Sequence, residues 1–373
     1  MSDASTPPSD ARRSSASRPA LTLRELTPAD LDTVVDLLRT RDGRPHERED
    51  VAQVVQGLEP TRLRAWGAFV DGEPAGLTTF YLRRLRGWSA EPVTAGYWGH
   101  LYVLPEHRRL MVYPLLIRSM LQGGRDAGCD LIFTATRQPE VAEGHQRLGF
   151  QLIGRLPVRF RPLRPFRLLA RQRRLGGAAE RLAGLGDALY RPFVSRPLSG
   201  GGTPCRRIDP ASPEVEPVVE LMNATRQGRV SQVWSAESFR RRCAGTIDGA
   251  AYTVLAAGDG DAPRAAVVYC EVTRGENVRA GVLLEVVSRP GDEPAALALT
   301  REAERRLLAA GCDVVLHLDG RGSALDERIA RAGYRVAPHE YHMLIWSPDE
   351  RWKEDRRSDL SNWWFAFSDH DAF

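Results

Sequence analysis

The sequence predicts an α/β protein built from two tandem copies of one mixed-sheet domain, joined by a basic helical linker. Three observations carry this expectation. Short stretches of the first half recur in the second at a nearly constant spacing; alternating apolar runs interleave with runs of helical period in each half; and an arginine- and proline-rich segment separates the halves. At 373 residues, with 42% apolar and 27% charged side chains, the chain is long enough for two cores and has ordinary globular composition.

Residues 1–20, MSDASTPPSDARRSSASRPA, read as a disordered tail without the apolar core of a signal peptide. The first copy, 21–160, opens with a helix at RELTPADLDTVVDLL (24–38) and continues with strands around a turn at AFVDGEPAGLTTFYL. A further strand, a long helix, a strand, a short helix and a final strand follow, an order that calls for a mixed sheet with helices layered on it. The second copy, 204–348, repeats the order. RRIDPASPEVEPVVELM (206–222) echoes the first helix, AGCDVVLHLD (310–319) echoes AGCDLIFTAT (127–136), and RAGY (331–334) echoes RLGF (147–150), all offset by 182–184 residues. Between the copies, 161–203 forms the linker. Eight arginines and no acid fall within 155–174, residues 166–191 have the period of one or two amphipathic helices, and Gly200–Gly202 make a hinge. A solvated helix packed on a sheet, a basic surface for a polyanionic substrate and an interfacial membrane contact are all open readings of it. An aromatic tail, 349–373, ends the chain.

Of the 52 basic residues one is Lys353 and the rest are arginine, and the net charge is only +4, so any anionic partner has to be inferred from where the arginines sit. Five widely spaced cysteines form no CxxC or Cys/His cluster and point to reduced thiols and a cytoplasmic protein. No apolar run reaches the ~18 residues of a membrane span. Asp369, His370 and Asp371 are metal-ligating types, but neighbours in sequence do not converge on one ion, so no metal is expected.

The chemistry concentrates in HLYVLPEHRRLMVYPLLIRSM (100–120): an alternating strand, a basic turn, and a helix whose first turn holds Pro114. Unpaired N–H groups and the helix dipole make such a junction an anion site, and His107, Arg108 and Arg109 add positive charge. A pyrophosphate suits it.

VLPEHRRLMVYPLL, followed by the strand at 129–136 and then EVAEGHQRLGF, resembles the GNAT acetyltransferase superfamily over about residues 21–160. The acyl-CoA loop of that family reads Q/R-x-x-G-x-G/A and its fourth helix ends in Tyr-x-x-x-Gly-Phe. The tandem layout, the arginine-proline linker and the tail NWWFAFSDHDAF resemble a group of bacterial two-copy GNAT proteins. The resemblance implies two GNAT-like domains, the first binding acetyl-CoA or another acyl-CoA through Val103, Arg108, Arg109, Leu110, Met111, Val112, Tyr113 and Gln138. Arg108 takes the Gln/Arg place of the loop, while Met111 and Tyr113 stand in the two glycine places. His145 takes the place of the tyrosine that protonates the leaving thiolate, and His100, on the strand entering the loop, is the candidate base. Tyr97 and His100 point to opposite faces of a regular strand unless a bulge intervenes.

In the second copy the loop maps to RPGDEPAALAL (289–299), where Asp292 and Glu293 would repel a pyrophosphate. The expected activity is N-acyl transfer to a small-molecule or peptide amine. Two alternatives stand beside it: a non-catalytic binding or scaffold protein, and a transferase of the two-copy aminoacyl type, the one reading in which tRNA is a partner. The acceptor and the oligomeric state are not legible.

Overall fold

The computed structural model describes residues 19–87, 91–173, 175–194, 204–244, 251–259, 262–274, 278–319, 324–349 and 358–370. The first copy runs β1 (Leu21–Glu25), α1 (Leu31–Asp42), α2 (Arg48–Val54), β2 (Leu63–Val70), β3 (Glu73–Arg86), β4 (Val93–Val103), α3 (Val112–Asp126), β5 (Leu131–Thr136), α4 (Pro139–Arg147) and β6 (Gln151–Pro162). Two linker helices follow, α5 (Pro165–Gln172) and α6 (Gly177–Val194). The second copy comprises β7 (Cys205–Ile208), α7 (Glu216–Thr225), β8 (Ser231–Gln232), α8 (Ala236–Cys243), β9 (Thr253–Asp259), β10 (Ala262–Arg274), β11 (Val278–Ser288), α9 (Glu293–Ala310), β12 (Val314–Leu318), α10 (Ala324–Arg331) and β13 (Arg335–Trp346).

Both copies share one mixed sheet, in the order β1-β2-β3-β4-β5-β13-β6-β12-β11-β10-β9-β7, with β8 paired to β3. The last strands are exchanged. β13 of the second copy lies antiparallel between β5 and β6, and β6 of the first pairs antiparallel with β12. Each copy therefore completes the other's sheet.

Side-chain alternation assigns the faces. On β13, Tyr341, Met343 and Ile345 join the core that holds α1, α7 and the tail, whereas Leu344 and Trp346 join the core of α3 and α4. On β12, Val314 and Leu318 join the first of these, and Val315 joins the core of α9 and α10. Thus α3, α4, α9 and α10 cover one face, and a single core spans both copies on the other. Helix α3 forms because Val112, Leu116, Ile117, Met120 and Leu121 recur at helical spacing and are buried. Its Gly123 allows a close approach: a Cβ there would collide with the Trp66 ring. No helix among the described residues is long and apolar enough to cross a membrane.

Candidate functional site

The site begins where two parallel strands part. Pairing of β4 with β5 is confined to Ala95–Leu131, Gly96–Ile132 and Tyr97–Phe133, although β4 runs on to Val103 and β5 to Thr136. A gap opens between them. On its β3 side, β4 carries one extra residue: Thr79 faces Gly99 and Leu77 faces Tyr102, and His100 takes a left-handed φ of 48°. The bulge that could not be seen in the sequence is present, and it turns His100 to the side of Tyr81, whose ring centroid is 6.0 Å from its own and 6.5 Å from that of Tyr97. Leu104 N–H bonds Ala75 C=O at 2.9 Å, so the alternation of an antiparallel ladder directs Val103 N–H away from β3, toward the gap.

Beyond the gap lies the basic turn. Helical geometry leaves Val112 and Tyr113 N–H without intrahelical acceptors. Leu110 ends the six-residue 3-10 helix, Pro105–Leu110, that precedes them. Arg108 and Arg109 are exposed and form no ion pair among the described residues; Arg108 Nε lies 3.4 Å from Val103 C=O. Met111 caps α3 at φ 62° and is 65% exposed. That left-handed conformation favours glycine.

Tyr113 points across to α4. Its phenol is 2.6 Å from His145 Nδ1, and the imidazole stacks on Trp98 with ring centroids 4.0 Å apart. Burial pushes His145 down to about 3 and Tyr113 up to about 12, so both are neutral near pH 7. Gln138 is the exposed N-cap position of α4. At His100, Arg41 Nη1 is 3.3 Å from Nδ1 and the Tyr81 hydroxyl is 2.8 Å from Nε2. Because a guanidinium can only donate, Nδ1 is the accepting nitrogen and Nε2 carries the proton. Burial, reinforced by Arg41, lowers His100 to about 3, and its one lone pair is engaged by a cation.

On the opposite face, an open apolar trough of about 1060 Å³ extends from Ala135 and Gln138 over β13, β6 and β12 to Val278 and Ala280 on β11. Phe160, Leu316, Ala337 and Leu168 of α5 form its floor and wall, and Tyr341, Phe367 and His370 stand at the gap end. No carboxylate lines it. Arg137 lies over the Tyr341 ring at 5.8 Å.

The second copy keeps the geometry and closes the site. Val268 faces Glu285 and Tyr269 faces Leu283, so β11 bulges at Leu284, 184 residues after His100. The tail fills the adjoining space: Glu285 accepts from Trp364 Nε1 at 3.2 Å and Ser368 Oγ at 2.7 Å, and pairs with Arg226. Arg226 also holds Asp369 at 3.0 Å. Asp292 and Glu293 stand at the start of α9 as read, and Gly291 N–H donates to Glu293 at 3.1 Å. Asp369 is thus committed to Arg226, His370 Nε2 is 3.3 Å from Ala135 C=O, and Asp371 lies outside the described residues. The described residues contain no metal-binding group of His, Cys, Asp or Glu.

Sequence reading missed how the linker arginines are used. Arg159 pairs with Asp319, Arg161 with Glu304, and Arg171 with Asp313, while Arg164 donates to the carbonyls of Leu308 and Gly311. Most of that charge fastens the linker to the second copy.

Residues 31–150 match the sequence profile of the Acetyltransferase (GNAT) family. Comparison with curated proteins finds no match. Among solved structures, a probable N-acyltransferase of Enterococcus faecalis V583 is similar at 10% identity and a TM-score of 0.61, over 88% of this chain and 73% of that one. A GCN5-related N-acetyltransferase of Anabaena variabilis ATCC 29413 is similar at 11% and 0.59, over 87% and 72%. N-myristoyltransferase of Saccharomyces cerevisiae, with bound myristoyl-CoA, is similar at 13% and 0.63, over 88% and 79%. At these identities the likeness speaks for the fold. The parted strands, the bulge and its copy 184 residues on describe two tandem units of GNAT-like fold, and the profile match marks a GNAT-family domain at residues 31–150.

Proposed function

We propose that the protein is an acyl-CoA-dependent N-acyltransferase whose first copy holds the thioester and whose acceptor is an amine with a large apolar body. The observation that carries this is the gap between β4 and β5, opening onto a helix start flanked by two arginines without ion pairs among the described residues. Acyl-CoA supplies the activated acyl thioester. The N–H groups of Val112 and Tyr113, with Arg108 and Arg109, suit its pyrophosphate, and left-handed Met111 keeps the turn open as glycine would. The arm fits along the gap, where Val103 N–H points at the position of the carbonyl oxygen.

In the transfer the amine nitrogen bonds to the carbonyl carbon, the C–S bond breaks, and the proton lost by nitrogen balances the one gained by sulfur. His100 and His145 enter this scheme as positioning residues. Neither is charged near neutrality, and the one lone pair of His100 faces Arg41. Catalysis then rests on holding the amine against the carbonyl and polarising that carbonyl. A trough with apolar walls, Arg137 at its rim and no carboxylate suits an apolar or anionic amine better than a polycation.

Titration calorimetry with acetyl-CoA, beside Arg108→Glu/Arg109→Glu, tests the reading. Micromolar binding by the parent and its loss in the variant are expected. A folded parent that binds neither CoA nor any acyl-CoA would overturn it in favour of a binding or scaffold role.

A further inference from the structure

The helical pair α5–α6 exposes apolar side chains as no other described part of the molecule does. Eight large hydrophobic residues stand exposed among the described residues, and six of them, Phe166, Leu169, Leu175, Leu182, Leu185 and Leu189, belong to this pair and the turn between its helices. Leu182, Leu185 and Leu189 are spaced by three and four, on one face of α6, and Leu189 is 79% exposed. Phe166 packs beside that face: a Cβ on Gly186 would stand 2.8 Å from its ring. The opposite side of the pair is anchored. Asp187 accepts from the N–H groups of Phe166 at 3.0 Å and Arg167 at 3.3 Å, Ala183 is buried, and Arg164 and Arg171 bind the second copy. The outward stripe is therefore a fixed feature of a docked element.

Charge indicates what covers it. Arg173 and Arg181 border the stripe and form no ion pair among the described residues, against one exposed acid on the pair, Glu180. In a two-fold contact between copies of this chain, the same arginines would face one another. An anionic lipid surface accepts both the leucines and the arginines. We propose that α5–α6 seats the protein on anionic membranes, the leucines entering the headgroup boundary and the arginines meeting the lipid charges. The seat is independent of the acyltransferase reading.

Co-sedimentation of the full chain with phosphatidylcholine vesicles, with and without phosphatidylglycerol, tests this. Binding to the anionic vesicles is expected, weakened by salt and at least about tenfold by Leu182→Glu/Leu185→Glu/Leu189→Glu, with about fivefold lost per arginine in Arg173→Gln and Arg181→Gln. All these side chains are exposed, and an unchanged circular dichroism melt verifies folding. No binding to anionic vesicles, or equal binding by the leucine variant, overturns the proposal. So does sedimentation velocity showing a dimer that the leucine variant turns into a monomer, since the stripe is then a subunit interface.

Discussion

Replacing Arg226 by methionine tests how the tail is held. Arg226 is 1% exposed and lies between two buried carboxylates, Glu285 on β11 and Asp369 in the tail, with Ser368 Oγ 3.2 Å from its guanidinium. Burial raises Asp369 above the usual carboxylate range despite the cation beside it. Methionine keeps the unbranched apolar stem but is shorter than arginine and leaves two carboxylates without their counter-charge. Removing one partner of a buried ion pair costs about 3–5 kcal/mol. Because Asp369→Asn leaves Arg226 paired with Glu285, it should cost less than Arg226→Met. In the Arg226→Met background the same change should restore stability. Urea unfolding followed by tryptophan fluorescence measures each term, with Trp363 and Trp364 reporting the tail. If Arg226→Met lowers stability by less than about 1 kcal/mol at an unchanged m-value, the cluster does not fasten the tail and the reasoning fails.

Met111→Gly removes a left-handed penalty of about 1–2 kcal/mol per residue, offset in part by glycine's greater chain entropy, so stability should change little while acetyl-CoA binds tighter in calorimetry. His145→Phe should keep the stack on Trp98 and lose the bond to Tyr113; retained turnover with a modest rise in KM would fit a positioning role, and a collapse of kcat alone would not. His100 and His145 are both lowered from 6.5 to about 3, so the unfolded chain takes up two protons that the folded one refuses as pH falls below 6.5. Stability should therefore drop by about 3 kcal/mol between pH 6.5 and 5, and by about half as much in His145→Phe, in urea titrations across that range.

Local signals were legible in the sequence and pairings were not. The strand, basic turn and Pro114-started helix around 100–120 stand in the structure as read, because a cap, a proline and an amphipathic period act over a few residues. The 184-residue offset survives as two bulges, at His100 and Leu284. A bulge itself cannot be read from one strand, since it is defined by the count on the partner. The Tyr113–His145 bond joins residues 32 apart, and Arg159 and Arg161 meet carboxylates 160 and 143 residues away. Nothing in the local pattern distinguishes an arginine destined for a buried partner from one that stays in water. The exposed leucines of α6 had a visible period, but which face the protein would leave uncovered depends on how the linker docks.

The exchange of β6 and β13 also sets a timetable for synthesis. Strand β5 ends at Thr136, and its neighbour β13 begins only at Arg335. At about 5–20 residues per second a ribosome needs about 10–40 s to deliver that stretch. Throughout that interval the edge of LIFTAT (131–136) lacks its native partner strand, leaving a length of backbone open to mispairing. The first half of this protein must be made long before it can close, so a chaperone that shields strand edges would be a condition of its yield, and an isolated 21–160 fragment should aggregate.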